Sequence, residues 1–560
     1  MKIRLEQLNP IIGDIEGNTS IILKALKKAE SDGADVLILP ELVVTGYPAQ
    51  DLFENSYFRS ECYAANKKII QASKSTAILF GSIMPNNGFG RKMYNSALLA
   101  IDGELHAVVH KTLLPTYDVF DDFRYFEPNK EFRCVDFKGI KLGITICEDI
   151  WYNENEVQYH TYETDPAARL KEIGADVIVN ISASPYTISK HENRKRMLQK
   201  HAEKLKLPVL YSNQTGSHTD IVFDGDTMGI NSHAEVIANT CAFTQDYCDL
   251  IWNSDKKDIE AIDHKPLNQY PDKGPERHFE AIKCGLSDYF NKTGITAKAL
   301  VGLSGGIDSA LVCTVAAEVL GAENVKAITM PSGFSSEGSI SDSQKLAENL
   351  GIELFEISIQ SLFSEYTQTL EPLFEGTDFG VAEENLQSRI RGTLLMAYSN
   401  KFGNFLLTTG NKSEYSVGYA TLYGDMNGAL GIIGDLYKTE VFEMAKWFNR
   451  DYFKREVIPE NTIIKPPSAE LRPDQKDSDS LPDYEVLDNI LYRYIELLES
   501  PEQIVAAGYQ KEVVNDVLRL VDFNEFKRYQ AAPVLKLSSK SFGSGRRWPI
   551  VQRWTLNNKI

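Results

Sequence analysis

No run of apolar residues in this 560-residue sequence approaches the roughly 20 needed to cross a bilayer, so no membrane span is expected. The opening MKIRLEQLNPIIGD lacks the apolar core of a secretory signal; its charged and apolar residues alternate from Lys2 to Glu6, as in a first β-strand. The seven cysteines, at 62, 134, 147, 241, 248, 284 and 313, form no CxxC pair and no regular spacing. That scatter argues against zinc and disulfide frameworks and for reduced thiols in a cytoplasmic protein. Positive charge is also short: 59 Lys plus Arg face 78 Asp plus Glu, a net charge of -19. Such a field repels a phosphate backbone and excludes general nucleic-acid binding. Small anions stay admissible, because a helix N-terminus or one magnesium ion reverses the sign locally. With 43% hydrophobic and 24% charged residues, the composition is that of a folded globular protein.

One internal echo speaks to the fold. Gly33-Ala34-Asp35-Val36-Leu37-Ile38-Leu39 returns as Gly174-Ala175-Asp176-Val177-Ile178-Val179-Asn180, each time after a helix-like stretch and each time entering a short apolar strand. Helix, turn and buried strand, twice over, indicate a layered α/β domain over residues 1–250. The apolar rhythm then lapses through 251–275, a polar, Pro- and Gly-containing stretch that reads as a connector. Beyond it AKALVGL (297–303), SALVCTVAAEVL (309–320) and VKAITM (325–330) spell strand, helix and strand. A βαβ unit implies a parallel sheet, here opening a second domain over 276–545. Residues 468–485 read as a long loop over a site or a mobile lid, and 538–549 as the least ordered segment, leading into a tail at 546–560.

Three reactive side chains stand just past expected strand ends: Glu41 after VLILP, Lys111 after HAVVH and Cys147 after KLGITI. Taken singly, each has an ordinary reading as a turn-capping carboxylate, a surface ammonium or an inert buried thiol. Together they make a nucleophile. A thiol near pKa ~8.5 needs a base, which Glu41 supplies, and Lys111 favours the thiolate and steadies an oxyanion. An amide or nitrile carbon is the natural target.

The segments LPELVVTGYPAQDL (39–52), HKTLLPTYDVFDDFRYFEP (110–128), CEDIW (147–151) and NISASPY (180–186) resemble the nitrilase, or carbon–nitrogen hydrolase, superfamily. The resemblance implies an α-β-β-α sandwich with Glu41, Lys111 and Cys147 as its catalytic triad. The GYPAQDL and CEDIW forms resemble the glutaminase branch, which implies that Tyr117, Ser184 and Lys190 line a glutamine pocket with Glu148 beside the nucleophile. The stretch NQTGSHTDIVFDG (213–225) departs from the family at Ser217 and His218, and His218 reads as a loop residue rather than a base.

In the second domain LVGL leads into Ser304-Gly305-Gly306-Ile307-Asp308-Ser309 and then a helix. Two glycines allow a tight turn whose N–H groups face an anion, with the helix dipole behind them. No GxxxxGK[ST] occurs, so γ-phosphate transfer is not indicated. The loop resembles that of the ATP-pyrophosphatases, enzymes that cleave ATP to AMP and pyrophosphate while activating a substrate oxygen as an adenylate. Within that family MPSGFSSEGSISDS (330–343), ENLQSRIRG (384–392), TTGNKSEYSVGYATLYGD (408–425) and PPSAELRP (466–473) resemble the NAD synthetases.

That resemblance implies a Rossmann-like parallel-sheet domain in which Gly302, Leu303, Ser304, Gly305, Gly306, Ile307, Asp308 and Ser309 bind ATP, with Thr409 nearby. It implies Asp308 and Glu414 for magnesium, and Asn385, Glu414 and Lys527 for deamido-NAD(+). Gly333 departs from the pattern, since the family often carries a basic residue there. The two halves imply one chemistry: a ligase that hydrolyses L-glutamine to glutamate and ammonia, then uses the ammonia with Mg2+ and ATP to amidate deamido-NAD(+). Assembly as a homo-oligomer is expected from the same resemblance. The alternative is a standalone nitrilase-type amidase carrying a nucleotide-binding regulatory domain. GMP and asparagine synthetases are disfavoured, because Lys rather than Cys stands at position 2 and Cys147 has no evident His partner.

Overall fold

The computed structural model describes residues 1–151, 162–262, 267, 274–296 and 298–554. The chain divides into two compact units, Met1–Asp272 and Lys273–Ile560.

In the first unit the short apolar runs become strands of two sheets. One has seven strands in the order Asp258–Ala261, Asp246–Asn253, Lys2–Gln7, Val36–Ile38, Ala77–Pro85, Met93–Ile101 and Glu104–His110. The other has six, in the order Val236–Asn239, Met228–Ile230, Val209–Asn213, Val177–Ser182, Ile140–Ile146 and Val135–Phe137. The two copies of the sequence echo thus fall in different sheets, as Val36–Ile38 and Val177–Ser182, each preceded by its helix, Ile15–Ser31 or Pro166–Glu172.

Strand alternation sends one face of each sheet to a shared core, where Leu5, Ile38, Leu79 and Leu99 pack with Ile144, Ile146, Val177 and Val179. The outer faces are covered by helices. Ile22, Leu26, Ala65 and Ile69 from Ile15–Ser31 and Ser56–Ala72 cover Leu37, Ile78 and Phe80. Leu170, Met197 and Leu198 from Pro166–Glu172 and Lys190–Leu205 cover Ile178 and Tyr211. The result is the α-β-β-α sandwich.

The connector expected at 251–275 begins too early. Ile251–Asn253 complete the strand Asp246–Asn253, and Asp258–Ala261 pairs back on it. The buried apolar residues of this hairpin are Cys248, Leu250, Trp252 and Ile259, and its other side is exposed enough to read as a polar linker. Residues 263–266 and 268–273 lie outside the described residues.

The second unit is built on a five-stranded parallel sheet in the order Glu353–Glu356, Val325–Thr329, Ala299–Gly302, Phe405–Thr408 and Leu430–Gly431. The helix Ile307–Leu320 is apolar on all sides and deeply buried, as expected of a crossover in a parallel sheet. Helices Tyr484–Leu491 and Lys511–Phe523 form a further core through Leu487, Ile490, Val514, Val517 and Val521.

The segment 538–549 is anchored, contrary to its polar composition. Asp435 accepts from the backbone N–H groups of Leu537 (2.8 Å) and Ser538 (2.7 Å), and Lys412 donates to Ser538 Oγ (2.7 Å) and the Lys540 carbonyl (2.9 Å). A tail beginning at 546 would split this arm, since Arg546 still reaches Glu525 Oε2 at 2.9 Å. Residues 555–560 lie outside the described residues. No helix among the described residues is long and apolar enough to cross a membrane.

Candidate active sites

Glu41, Lys111 and Cys147 come from the C-terminal ends of Val36–Ile38, Glu104–His110 and Ile140–Ile146, and all three are buried. Lys111 Nζ donates to Glu41 Oε1 at 2.8 Å and to Asp122 Oδ2 at 2.6 Å. Glu41 also accepts from Asn95 Nδ2 (2.7 Å) and from the backbone N–H of Ala183 (2.9 Å), which leaves it little rotational freedom. Tyr47 Oη donates to the other oxygen of Asp122 at 2.9 Å.

Burial disfavours the ammonium of Lys111, but the carboxylates of Asp122 and Glu41 outweigh it and hold its pKa well above the ordinary range. The Cys147 thiol is pushed well up, first by burial and then by the Glu41 charge, with Lys111 pulling the other way. The resting Cys147 side chain is therefore a protonated thiol. Two carboxylates around one ammonium carry a net charge of -1, so one proton can be accepted there without leaving an unbalanced charge.

Cys147 has φ 44°, a left-handed conformation that costs a non-glycine residue roughly 1–2 kcal/mol. The sharp bend turns the chain from strand into the short helical turn Cys147–Ile150, and Asn180 Nδ2 holds the Cys147 carbonyl at 3.4 Å. Strain of this kind persists where the surroundings over-determine it.

Of the residues expected around Cys147, Tyr117 and Lys190 act on Glu148, its neighbour in the chain. Tyr117 Oη donates to both oxygens of Glu148 (3.0 and 2.8 Å), and Tyr162 Oη reaches one of them at 2.9 Å. Burial raises the Glu148 pKa against the pull of those hydroxyls and of the Lys111 and Lys190 charges. Lys190 Nζ sits 3.8 Å from the centroid of the Trp151 ring. Ser184 is buried, with its backbone N–H bonded to Asn213 Oδ1 at 2.8 Å. Residues Thr215–His218 and Ile221–Asp224 form a hairpin in which the His218 ring packs edge-on to Phe223, consistent with a structural role for that histidine.

In the second unit the loop 304–309 joins Ala299–Gly302 to the helix Ile307–Leu320. Ser304 Oγ accepts from the Gly306 N–H (3.2 Å) and meets Ser309 Oγ at 3.1 Å, so the two serines lock the turn. Gly305 has φ +80°, and a Cβ there would lie 2.3 Å from the Ser339 carbonyl oxygen. A cavity of about 280 Å³ opens above the loop. Gly302, Leu303, Ser304, Gly306, Ile307, Asp308 and Ser309 line it, with Thr409, Glu414, Lys438 and Asp477 among the rest. Gly305 shapes the turn without lining the cavity. The segment 465–471 lies along the cavity wall, where Glu470 accepts from Ser336 Oγ (2.9 Å) and Ser339 Oγ (2.7 Å).

Asp308 and Glu414 face one another across Lys438. The Lys438 ammonium bonds Asp308 Oδ2 and, at 3.1 Å, Glu414 Oε1, while Asn411 Nδ2 holds Asp308 Oδ1 at 2.8 Å. Burial still dominates at Glu414 and raises its pKa to about 8 despite that lysine. Two carboxylates share one ammonium here, so a further cation fits only if Glu414 gives up the proton that burial favours. Hard oxygen donors in pairs, completed by phosphates and water, suit magnesium. No larger cluster of metal-ligating side chains occurs among the described residues.

Asn385 and Lys527 fall outside the cavity lining. Asn385 Oδ1 accepts from Thr421 Oγ1 (2.7 Å), and Lys527 Nζ donates to the carbonyls of Gly418 (2.7 Å) and Ala420 (2.8 Å). Both grip the loop 418–421, of which Tyr419 and Ala420 do line the cavity. Gly333 donates its N–H to Gln360 Oε1 at 2.8 Å. Asn95, Asp122 and Lys438 were not among the expected site residues. Asp122 stood inside a quoted segment, but an acidic residue in DDFR carries no mark of burial.

Two family models match the chain: carbon-nitrogen hydrolase over residues 2–250 and NAD synthase over 278–531. A glutamine-dependent NAD(+) synthetase of Synechocystis is 44% identical over 555 residues, spanning 98% of each chain. One of Thermotoga maritima is 41% identical and covers 99% of both. Among solved structures, the glutamine-dependent NAD+ synthetase of Acinetobacter baumannii, in complex with adenosine diphosphate, aligns with TM-score 0.77 at 37% identity over 100% of this chain and 99% of that one. Two sites on one chain, and likeness along its whole length, lead to the same place: the chain belongs to the family of glutamine-dependent NAD(+) synthetases.

Proposed function

We propose that this chain converts deamido-NAD(+) to NAD(+), taking nitrogen from L-glutamine and energy from the cleavage of ATP to AMP and pyrophosphate. The observation that carries the reading is the coexistence of a buried Glu–Lys–Cys set in one unit and an anion-facing SGGIDS loop beside two carboxylates in the other. Neither half explains the other alone. Free ammonia is largely protonated and unreactive at neutral pH, so a glutaminase on the same chain supplies the neutral nucleophile that an acyl-adenylate requires.

In the glutaminase unit Glu41 takes the Cys147 proton, and the sulfur attacks the carboxamide carbon of glutamine. Lys111 stabilises the oxyanion. Glu41 returns the proton to the departing nitrogen, leaving a thioester; it then activates water, which releases glutamate and restores the thiol. Tyr117, Glu148, Ser184 and Lys190 are assigned to holding glutamine.

In the synthetase unit the loop 302–309 and Thr409 are assigned to ATP. The nicotinate carboxylate of deamido-NAD(+) attacks the α-phosphorus, pyrophosphate leaves, and ammonia displaces AMP from the acyl carbon. Magnesium, held by Asp308 and Glu414, would neutralise phosphate charge. Asn385, Glu414 and Lys527 are assigned to the dinucleotide, the first and last through the loop 418–421. Cytoplasmic operation as a homo-oligomer belongs to the same reading.

The test is NAD(+) formation from deamido-NAD(+) and magnesium-ATP by wild type and Cys147→Ala, with glutamine or ammonium chloride as donor. The reading requires wild type to use both donors and the variant to use ammonium only. Absence of NAD(+) from wild type with either donor would overturn it.

A further inference from the structure

Lys111 and Cys147 belong to different sheets. Lys111 follows the edge strand Glu104–His110 of the seven-stranded sheet, and Cys147 ends the strand Ile140–Ile146 of the six-stranded one. The ladder of one sheet cannot fix the register of the other. Apolar packing between the sheets sets their spacing but is not directional. Something polar must therefore hold the ammonium and the sulfur in one geometry.

Glu41 ties Lys111 to the Ala183 N–H beyond Val177–Ser182, and one further buried side chain bonds directly to the backbone at both strand ends. Asp149 Oδ1 accepts from the backbone N–H groups of Thr112 (3.0 Å) and Leu113 (2.7 Å), the two residues after Lys111. Its other oxygen, Oδ2, accepts from the N–H of Ile146 (3.0 Å), the residue before Cys147. Three directional N–H bonds converge on one carboxyl group shielded from water, and they pull against the burial that raises its pKa to about 7. Asp149 is 2% exposed and two residues from the nucleophile, yet none of its bonds go to the groups assigned to chemistry or to glutamine.

We infer that Asp149 is the positioning residue that registers Lys111 against Cys147, and so sets where the oxyanion of the glutaminase reaction is stabilised. This rests on the proposed glutaminase reading. A displacement of the order of 1 Å at a reacting group costs about 10²-fold in rate. In Asp149→Asn the side chain keeps its shape but presents an NH2 to at least one backbone N–H. The strand ends then part at that point, while the glutamine pocket keeps its groups.

The experiment compares wild type, Asp149→Asn and Cys147→Ala for glutamine hydrolysis, for NAD(+) synthesis with ammonium chloride, and for the rate of Cys147 alkylation by iodoacetamide across pH. Expected for Asp149→Asn is a fall in glutaminase kcat of about 10²-fold with KM for glutamine within about three-fold. Its alkylation profile should shift toward higher pH as Lys111 moves off the sulfur, while ammonium-dependent synthesis stays unchanged. If this variant does not fold, Asp149→Ser, which opposes no N–H groups and admits water, carries the same comparison. A kcat within three-fold of wild type with an unshifted alkylation profile overturns the inference. So does a joint loss of kcat, KM and thermal stability, which would mark a merely structural residue. A wild type that hydrolyses no glutamine would overturn the underlying reading instead, and this inference with it.

Discussion

Lys111 lies 2.6 Å from Asp122 and 2.8 Å from Glu41, so one buried ammonium is shared by two buried carboxylates. The division of labour follows from charge. Asp122, also bonded by Tyr47, keeps Lys111 compensated when Glu41 accepts a proton from the thiol. Asp122→Asn removes that compensation while preserving shape. Glu41 must then stay ionised to hold a buried lysine, and its capacity to take the Cys147 proton falls. Glutamine-dependent NAD(+) synthesis should drop by ~10²–10³-fold, comparable to losing one oxyanion donor. Ammonium-dependent synthesis should be unchanged, and steady-state rates with the two donors check both.

Glu414 makes a second charge argument. Burial raises its carboxyl to about 8, so at pH 7 it largely carries a proton. A cation arriving with ATP favours the ionised form, and the proton must leave. Binding of ATP with magnesium at pH 7 should therefore release up to about one proton per site, falling toward zero above pH 9 where the group is already ionised. Calorimetry in buffers of different ionisation enthalpy measures this. Glu414→Gln should abolish the release, and chelating the magnesium with EDTA should abolish it in wild type.

The contrast between Cys147 and Asp149 shows what a sequence makes legible. CEDIW and SGGIDS carry their chemistry within a few consecutive residues, because a strand-to-helix turn is a local structure. The internal echo at 33–39 and 174–180 likewise revealed the layering, since buried parallel strands read as continuous apolar runs. Asp122, Asp149 and Lys438 act through partners as far as 11, 37 and 130 positions away, Asp122 to Lys111, Asp149 to Thr112 and Lys438 to Asp308. In one dimension they look like ordinary surface charge; only the fold makes them buried. The same blindness affected the polar stretches 251–261 and 538–546. One is a half-exposed hairpin and the other an arm pinned by the buried Lys412 and Asp435, and both hide their order behind a hydrophilic composition.

Stability should carry a pH signature at Glu6. Its Oε2 is buried without a hydrogen-bond partner, and burial first, then the charges of Asp249, Asp246 and Asp32, raise it from 4.5 to about 7 against the pull of Arg4. A carboxyl raised on folding favours the folded state only while protonated. Its contribution is fully present below pH 4.5 and is lost as the pH climbs through about 7. Glu6→Gln, which cannot ionise, should therefore melt close to wild type at pH 4.5 and above it at pH 8. Paired thermal melts at the two pH values test the sign.

Gly305 offers the sharpest separation of the two units. Its φ of +80° lies where side chains are strained, and an added Cβ would stand 2.3 Å from the Ser339 carbonyl oxygen and 2.7 Å from its Cα. Those atoms are backbone and cannot swing aside, so Gly305→Ala must either push the loop 304–309 into the cavity or displace the helix Glu337–Leu350. Either movement spoils the alignment of N–H groups that an ATP phosphate needs. Backbone strain of this kind costs about 1–3 kcal/mol, and the loss of alignment is felt again in the rate. NAD(+) synthesis should fall by at least about 10²-fold with either nitrogen donor, while glutamine hydrolysis survives. Assaying ammonia release and NAD(+) formation on the same preparation decides it: loss of both activities together would mean that the damage extends beyond the ATP loop, and retention of both would mean that the loop does not hold the phosphates.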